Sequence, residues 1–116
     1  MAYEKSKAFA VRIVRLYAFL RDEKREFVMS RQLLKCGTSI GANLAEAEYA
    51  ISRADFLSKA YIALKEAAEA IYWLELLRDT DILTDEQFSS FHADAMELRR
   101  MLSSTTKTTR ESLDKL

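Results

Sequence analysis

The sequence of 116 residues predicts an all-α protein, an antiparallel four-helix bundle with up-down-up-down connections. Proline is absent and there are only two glycines, so the chain contains almost no strong helix breakers. Apolar residues recur at alternating steps of three and four, which is the spacing of a buried helix face. The polar segments between those stretches are short, so consecutive helices should pack side by side in opposite directions. At 49% hydrophobic residues, the chain can form a single domain with its own core.

The predicted third helix, residues 52–78, is the element around which the bundle is organised. It carries two adjacent apolar rows, and a helix that is apolar on two stripes lies between packing partners. At its start, Ser52 and Asp55 resemble a capping box. The first row consists of Phe56, Ala60, Ala63, Ala67, Ala70, Leu74 and Leu77, and the second of Leu57, Tyr61, Leu64, Ala68 and Ile71.

The same kind of spacing predicts the other three helices at about residues 3–20, 30–50 and 84–104. The apolar pattern fades after the fourth helix, so we expect residues 105–116 to be a frayed helix end or disordered. The buried rows should contain Phe9, Ile13, Leu16 and Leu20 in the first helix, Leu33, Gly37, Ile40, Leu44, Ala47 and Ile51 in the second, and Phe88, Phe91, Ala95, Leu98, Leu102 and Thr105 in the fourth.

Local signals mark where the helices begin. Thr84 and Gln87 form the pattern of a capping box at the start of the fourth helix. For the second helix, Ser30 is a candidate N-cap, and Phe27 and Val28 are candidates for a hydrophobic staple.

Two glycines, Gly37 and Gly41, lie four residues apart inside the second helix. Each costs about 1 kcal/mol of helix stability relative to alanine. We therefore expect another backbone to approach this helix closely at both positions.

The residues that usually perform catalysis or bind metals are scarce. His92 is the one histidine, whereas metal-binding bundles use a Glu-x-x-His motif on each of two helices. Cys36 is the one cysteine, so an internal disulfide is excluded, and its apolar neighbours predict a buried, unreactive thiol. We expect no enzyme activity, no cofactor and no metal site.

The sequence also bears on where the protein works. No apolar run approaches the ~20 residues that are needed to cross a bilayer. Arg12 and Arg15 interrupt the apolar part of the N-terminus, which therefore lacks the layout of a signal peptide. We expect a cytoplasmic protein that does not interact with membranes.

Charge is unevenly distributed although the net charge is zero. Residues 1–37 contain nine Lys or Arg and four Asp or Glu, and residues 38–116 contain nine and fourteen. One interpretation is a basic surface that binds nucleic acid, since phosphate binding needs clustered cations. The other is that the basic and acidic parts attract each other across the bundle or between subunits. The candidate nucleic-acid-binding residues are Lys5, Arg12, Arg15, Lys24, Arg25, Arg31 and Lys35.

A third stripe of the third helix mixes charged and apolar residues. In a single bundle this stripe would face water, where Ile62 and Trp73 are poorly placed, whereas in an assembly of several subunits it can face a neighbouring subunit. We therefore predict a subunit interface formed by Ile62, Glu66, Glu69 and Trp73. Asn43 and Glu46, at the edge of the second helix, are predicted to form hydrogen bonds between helices.

Four blocks of sequence, in this order and spacing, resemble a known family. They are Ser39–Glu46, Ser52–Phe56, Ile62–Ala67 and Tyr72–Leu77. The chain resembles the small bacterial four-helix-bundle proteins related to those encoded in intervening sequences of 23S ribosomal RNA genes. The accessory protein of diversity-generating retroelements belongs to the same group.

This resemblance implies a homopentameric ring, and for relatives of the accessory protein it implies binding of nucleic acid and of a reverse transcriptase. Our hypothesis is a non-enzymatic oligomeric scaffold that binds RNA or DNA through the first helix, the following loop and the start of the second helix. The alternative is an oligomeric protein-interaction module without a role in nucleic-acid binding.

Overall fold

The computed structural model describes residues 1–115, which form four helices. They are α1 (Ala2–Asp22), α2 (Met29–Ala47), α3 (Arg53–Asp79) and α4 (Asp85–Asp114). Helix α1 packs against α2 and α4, and α3 packs against the same two helices from the opposite side. The bundle measures 52 × 22 × 21 Å, and no strand occurs within the described residues. The predicted all-α four-helix bundle is confirmed.

The first apolar row of α3 is the centre of the core. Its alanines are fully buried, because the neighbouring helices pack directly against these small side chains. The second row is covered less completely, since Ile71 is buried but Ala68 is exposed. Phe56, at the start of the first row, is only half-buried. The buried core residues of α3 are Ala60, Ala63, Ala67, Ala70, Ile71, Leu74 and Leu77.

Helix α1 lies close against α2 at the two glycines. A Cβ atom added at Gly37 would lie 2.9 Å from Cγ2 of Ile13. One added at Gly41 would lie 3.1 Å from Oγ of Ser6 and 3.7 Å from its backbone carbonyl carbon. The predicted close approach is confirmed, although the contact at Gly37 is with a side chain rather than with backbone.

The start of α2 differs from the prediction, because Glu26 and not Ser30 caps the helix. Its carboxylate accepts hydrogen bonds from the backbone N–H groups of Val28 and Met29 at 3.1 Å and of Ser30 at 2.7 Å. The Ser30 hydroxyl instead donates to the carbonyl oxygen of Glu26 at 2.8 Å. Phe27 and Val28 are exposed, so the predicted hydrophobic staple is absent.

The other two predicted helix starts follow the sequence more closely. Thr84 and Gln87 form the complete capping box at the start of α4. At α3 the box is half formed, because the Ser52 hydroxyl accepts from the Asp55 N–H while the Asp55 carboxylate reaches the N–H of Ile51. The short side chain of aspartate accounts for this difference from a glutamate-containing box.

Two helix ends differ from the expected positions. Helix α2 stops at Ala47, and Ile51 is therefore 94% exposed in the following turn instead of buried in the second-helix row. Helix α4 continues to Asp114, so residues 105–114 are helical and not a frayed or disordered tail. Thr106 is buried there, and the guanidinium of Arg110 lies 5.1 Å from the ring centroid of Tyr61. Residue 116 of the predicted tail lies outside the described residues.

Candidate nucleic-acid interface

Arg12 and Lys5 on α1, two of the seven predicted binding residues, form ion pairs with α4. Arg12 pairs with Asp94, and its guanidinium also donates to the Ser90 hydroxyl at 2.7 Å and to the Ser90 carbonyl at 3.3 Å. Lys5 pairs with Glu97, which raises the pKa of the lysine through hydrogen bonding and charge attraction. Both cations therefore help to join α1 to α4.

The guanidinium of Arg12 also lies over an aromatic ring. Its central carbon is 4.1 Å from the ring centroid of Phe91, a distance typical of a cation–π contact. Helices α1 and α4 pack less closely than the other neighbouring pairs. Below Arg12 they leave a groove of about 310 Å³, lined by Arg12, Arg15, Leu16, Phe19, Gln87 and Phe91.

The remaining five predicted binding residues are exposed, and none forms an ion pair within residues 1–115. Lys24 lies in the connection after α1, where its Nζ atom is 5.9 Å from the ring centroid of Phe19. Arg25 follows with a positive φ of 56° and lies 5.9 Å from the ring centroid of Phe27. We call these residues the basic set: Arg15, Lys24, Arg25, Arg31 and Lys35.

The basic set occupies the end of the bundle where α1 connects to α2. Arg15 lies seven residues before the end of α1, a distance of about 10 Å along the helix axis. Arg31 is in the first turn of α2, and Lys35 follows it by four residues, on the same side of the helix. The structure thus brings the basic set to one end of the molecule and assigns Lys5 and Arg12 to internal contacts.

The predicted subunit-interface residues form the edge of α3 that lies beside α2. Ile62 is 37% exposed. The indole N–H of Trp73 donates to Oε2 of Glu69 at 3.0 Å, and its ring packs against the core, so Trp73 is half-buried within its own chain. Burial raises the pKa of the Glu66 carboxyl, and the nearby Glu69 charge raises it further. Tyr72, which the prediction did not include, is 55% exposed beside Trp73.

Asn43 and Glu46 behave differently from each other. Glu46 pairs with Lys59 of α3 at 3.1 Å, so it connects two helices. The Asn43 amide donates to the Ser39 carbonyl at 2.9 Å, within α2. The expectation of a bond between helices is therefore wrong for Asn43, since its side chain reaches the carbonyl one turn earlier.

Neither the cysteine nor the histidine has the surroundings of a reactive group. Cys36 is buried, and its pKa is raised to about 12 by desolvation and by the charges of Glu69 and Glu66. The thiol therefore stays protonated at neutral pH. His92 stacks on Phe88 with ring centroids 4.7 Å apart. Among residues 1–115, no group of three or more His, Cys, Asp or Glu side chains is placed to hold a metal ion.

Sequence reasoning missed the residues of α4 that face α1. Asp94 and Glu97 are three residues apart, and Lys5 and Arg12 are seven apart, so each pair lies on one side of its helix. The available signal was that two carboxylates share one side of α4 and two cations share one side of α1. Phe19 and Gln87 gave no comparable signal, because only the packing of α1 against α4 brings them together.

Comparison with known proteins agrees with this architecture. The sequence model of the family described as 23S rRNA-intervening sequence protein matches residues 1–104. The chain belongs to the 23S rRNA-intervening sequence protein family. The last ten residues of α4, 105–114, extend beyond the matched region.

The solved structures that are similar to this family member include one that matches it over nearly its whole length. It is the crystal structure of a protein of unknown function from the S23 ribosomal protein family of Bacteroides thetaiotaomicron VPI-5482. The two chains are 56% identical, with a TM-score of 0.91, and the match covers 92% of this chain and 99% of the other. A comparison with curated proteins found no match. Within residues 1–115, no helix combines the length and apolar character that a membrane span requires.

Proposed function

We propose that this member of the 23S rRNA-intervening sequence protein family is a non-enzymatic, homo-oligomeric scaffold that binds RNA or DNA through the basic set. The supporting observation is that these five cations are exposed and unpaired within the described chain, at one end of the bundle. Cations that are already neutralised inside the protein have little to offer a phosphate. The family's name refers to ribosomal RNA, which makes RNA the first ligand to test.

The proposed binding surface is smaller than the one predicted from the sequence, because it excludes two of the seven cations. Lys5 and Arg12 are assigned to the contact between α1 and α4, because each already has a carboxylate partner there. Reversing the charge of Arg12 would therefore disturb the bundle as well as any ligand contact. Variants of Lys24 and Arg31 test ligand binding without disturbing the bundle, since both side chains are exposed and neither is ion-paired within residues 1–115.

Binding is tested by fluorescence anisotropy with a labelled RNA of roughly 16 nucleotides at low salt. The double variant Lys24→Glu with Arg31→Glu should lower affinity by about tenfold or more, because it replaces two phosphate contacts with repulsion. The matched control is Arg99→Glu with Arg100→Glu, which makes the same change of charge at exposed positions of α4. Absence of binding by the parent protein, or equal loss in both variants, would contradict the proposal.

Self-assembly is the second part of the proposal, and the resemblance suggests a homopentamer. A ring would bring several copies of the basic set together. Ile62 and Tyr72 are exposed apolar side chains on α3. Contact with a neighbouring subunit would remove them from water. Light scattering should show a smaller mass for Ile62→Glu, whereas Ala93→Glu, an exposed position on α4, should keep the parent mass. A parent protein that is monomeric at micromolar concentration would overturn this part.

The exposed α3 edge also supports a second candidate function. In this alternative the protein is an oligomeric protein-interaction module, and Ile62 and Tyr72 contact a protein partner rather than another subunit. A reverse transcriptase is the partner that the resemblance suggests. Co-purification of such an enzyme with the parent but not with Ile62→Glu, together with no affinity for RNA or DNA, would favour this alternative.

A further inference from the structure

The geometry points to a more specific ligand: we propose that the groove between α1 and α4 binds unpaired bases, so that the nucleic acid bound by the basic set is single-stranded. This inference rests on the proposed function and adds a site to it. By the α1–α4 groove we mean the surface lined by Arg12, Arg15, Leu16, Phe19, Gln87 and Phe91.

The floor of the α1–α4 groove is apolar and aromatic. Leu16 is buried, and Phe19 and Phe91 are half-buried. The guanidinium of Arg12 lies over the ring of Phe91, so a base would stack directly on Phe19 and, at Phe91, on the guanidinium plane. The opening of about 310 Å³ exists because α1 and α4 are joined here by polar side chains instead of by close packing. Bases stack on such rings with little dependence on sequence, because every base has a π-face.

Cations flank these rings on the α1 side. Arg15 lines the groove, is exposed and forms no ion pair within the described chain. Lys24 carries its ammonium group to 5.9 Å from the Phe19 ring centroid. A nucleotide whose base lies on Phe19 would thus have two cations within reach of its phosphates, which is the combination that single-strand-binding surfaces use.

The α4 side of the groove can lie beside a phosphate chain, because the charge of its carboxylate, Asp94, is neutralised. Asp94 would repel phosphates, but its charge is balanced by the ion pair with Arg12. The guanidinium of Arg12 is also fixed by Ser90 and by the ring of Phe91. Glu86 lines an adjoining opening and not the groove itself, so the favoured path for the phosphates runs along α1 from Arg15 towards Lys24, away from this carboxylate.

Gln87 supplies a polar group for the edge of a base. Its side-chain oxygen accepts the backbone N–H of Thr84 at 3.0 Å in the capping box, which fixes the orientation of the amide. The amide NH₂ group makes no hydrogen bond within residues 1–115 and remains available as a donor. A fixed donor beside two aromatic rings is suited to a carbonyl oxygen of an unpaired base.

A base-paired duplex would not use this groove in the same way. In a duplex the faces of the bases are stacked on each other and cannot reach Phe19 or Phe91. The groove therefore predicts a preference for single strands, whereas the cations alone would bind both forms. An acidic peptide with an apolar anchor is the competing occupant, and the experiment distinguishes it.

The test compares single-stranded and duplex RNA of the same length by fluorescence anisotropy. Phe19→Leu and Phe91→Leu keep an apolar side chain but remove the aromatic face. Phe19→Leu should lower affinity for the single strand by about tenfold, as expected for the loss of one stacked base. Phe91→Leu should lower it less, because the guanidinium of Arg12 already covers that ring, and both variants should leave affinity for the duplex unchanged. Tyr49→Leu is the matched control, because this tyrosine is 84% exposed in the turn after α2, outside both the groove and the α3 edge.

A second measurement uses the unmodified protein and does not depend on how the variants fold. A single-stranded RNA that carries 4-thiouridine should crosslink on irradiation to residues 15–19 and 87–91. Crosslinks confined to α3, or single-strand affinities that are unchanged in both variants, would overturn the groove assignment. So would an acidic peptide that occupies the groove without displacing the RNA.

Failure of the inference can be told apart from failure of the proposed function. If the parent binds both forms of RNA equally and only Lys24→Glu with Arg31→Glu weakens binding, the basic set acts without the groove. If the parent binds neither form of the RNA and neither form of a DNA of the same sequence, the proposed function itself is wrong.

Discussion

Arg12 of α1 and Asp94 of α4 form an ion pair across the least closely packed pair of neighbouring helices in the bundle. The same guanidinium donates to Ser90 and lies over the ring of Phe91. One arginine therefore joins two helices, balances an acidic charge and forms a wall of the α1–α4 groove. This relationship explains why a residue that looks like a ligand-binding cation in the sequence has a structural role.

Arg12→Ala should lower the free energy of unfolding by about 1–2 kcal/mol, because it removes a partly exposed ion pair, two hydrogen bonds and a cation–π contact. Urea-induced unfolding followed by circular dichroism measures the change. Arg15→Ala, a neighbouring exposed arginine without an ion pair in the described chain, should change stability by less than about 0.5 kcal/mol. Equal changes in the free energy of unfolding for the two substitutions would show that the contacts of Arg12 with α4 do not stabilise the bundle.

Gly37→Ala should destabilise the protein by about 1–3 kcal/mol, although alanine is the better helix former. The new Cβ atom would lie 2.9 Å from Cγ2 and 3.0 Å from Cγ1 of Ile13, so α1 or its side chain must move. Adding Ile13→Ala removes both clashing atoms. In thermal unfolding, the double variant should therefore lose less stability than the sum of the two single variants. Strict additivity would mean that the two residues do not meet.

Glu26→Gln should lower the free energy of unfolding by about 1 kcal/mol at pH 7, as for the loss of a helix cap. Burial acts to raise the pKa of the Glu26 carboxyl, but hydrogen bonds from the N–H groups of Ser30, Met29 and Val28 outweigh it and lower the pKa below 4.5. The stabilisation is therefore fully present above pH 4.5 and is lost as the pH falls through the folded-state pKa.

The stability difference between the parent and Glu26→Gln should consequently narrow as the pH falls through the lowered folded-state pKa of Glu26, where the parent carboxylate also becomes neutral. Urea unfolding at several pH values measures it. Other carboxyl groups titrate in both proteins, so the comparison isolates Glu26. A difference that is constant from pH 7 to pH 3 would indicate that the carboxylate charge does not contribute to the cap.

Truncation after Thr106 should lower stability by about 1–2 kcal/mol while the remaining bundle stays folded. The removed residues include Arg110, which lies over Tyr61, and Ser112, which accepts a hydrogen bond from Arg53. Thermal unfolding and the helical circular dichroism signal report the outcome. Unchanged stability would mean that the contacts between the last turns of α4 and the start of α3 do not stabilise the protein.

Apolar periodicity in the sequence was sufficient to predict the bundle. Rows such as Phe9, Ile13, Leu16 and Leu20 are buried as expected, because a regular helix keeps such residues on one face. Periodicity gave wrong helix ends where an apolar residue follows the end of a helix, or where a helix continues without an apolar row. Ile51 continues the spacing of α2 but lies after its last residue, and the Ser- and Thr-rich end of α4 is helical without a strong apolar row.

The site was harder to predict, because it depends on contacts between distant residues. Arg12 and Asp94 are 82 positions apart in the chain, and only the packing of α1 against α4 brings them together. The sequence identified the cations but could not show which of them are neutralised by the protein itself. For the same reason the sequence did not reveal the role of Glu26, since a carboxylate immediately before the predicted staple resembled an ordinary charge in a connection.

The salt dependence of RNA binding tests the central claim, that the basic set contacts phosphates, most directly. For single strands, the slope of log K against log salt concentration is about −0.7 for each phosphate neutralised. The double variant Lys24→Glu with Arg31→Glu should make the slope shallower by about 1.4, whereas Arg99→Glu with Arg100→Glu should keep the parent slope. No binding by the parent at low salt, or the same slope in all three proteins, would contradict the account.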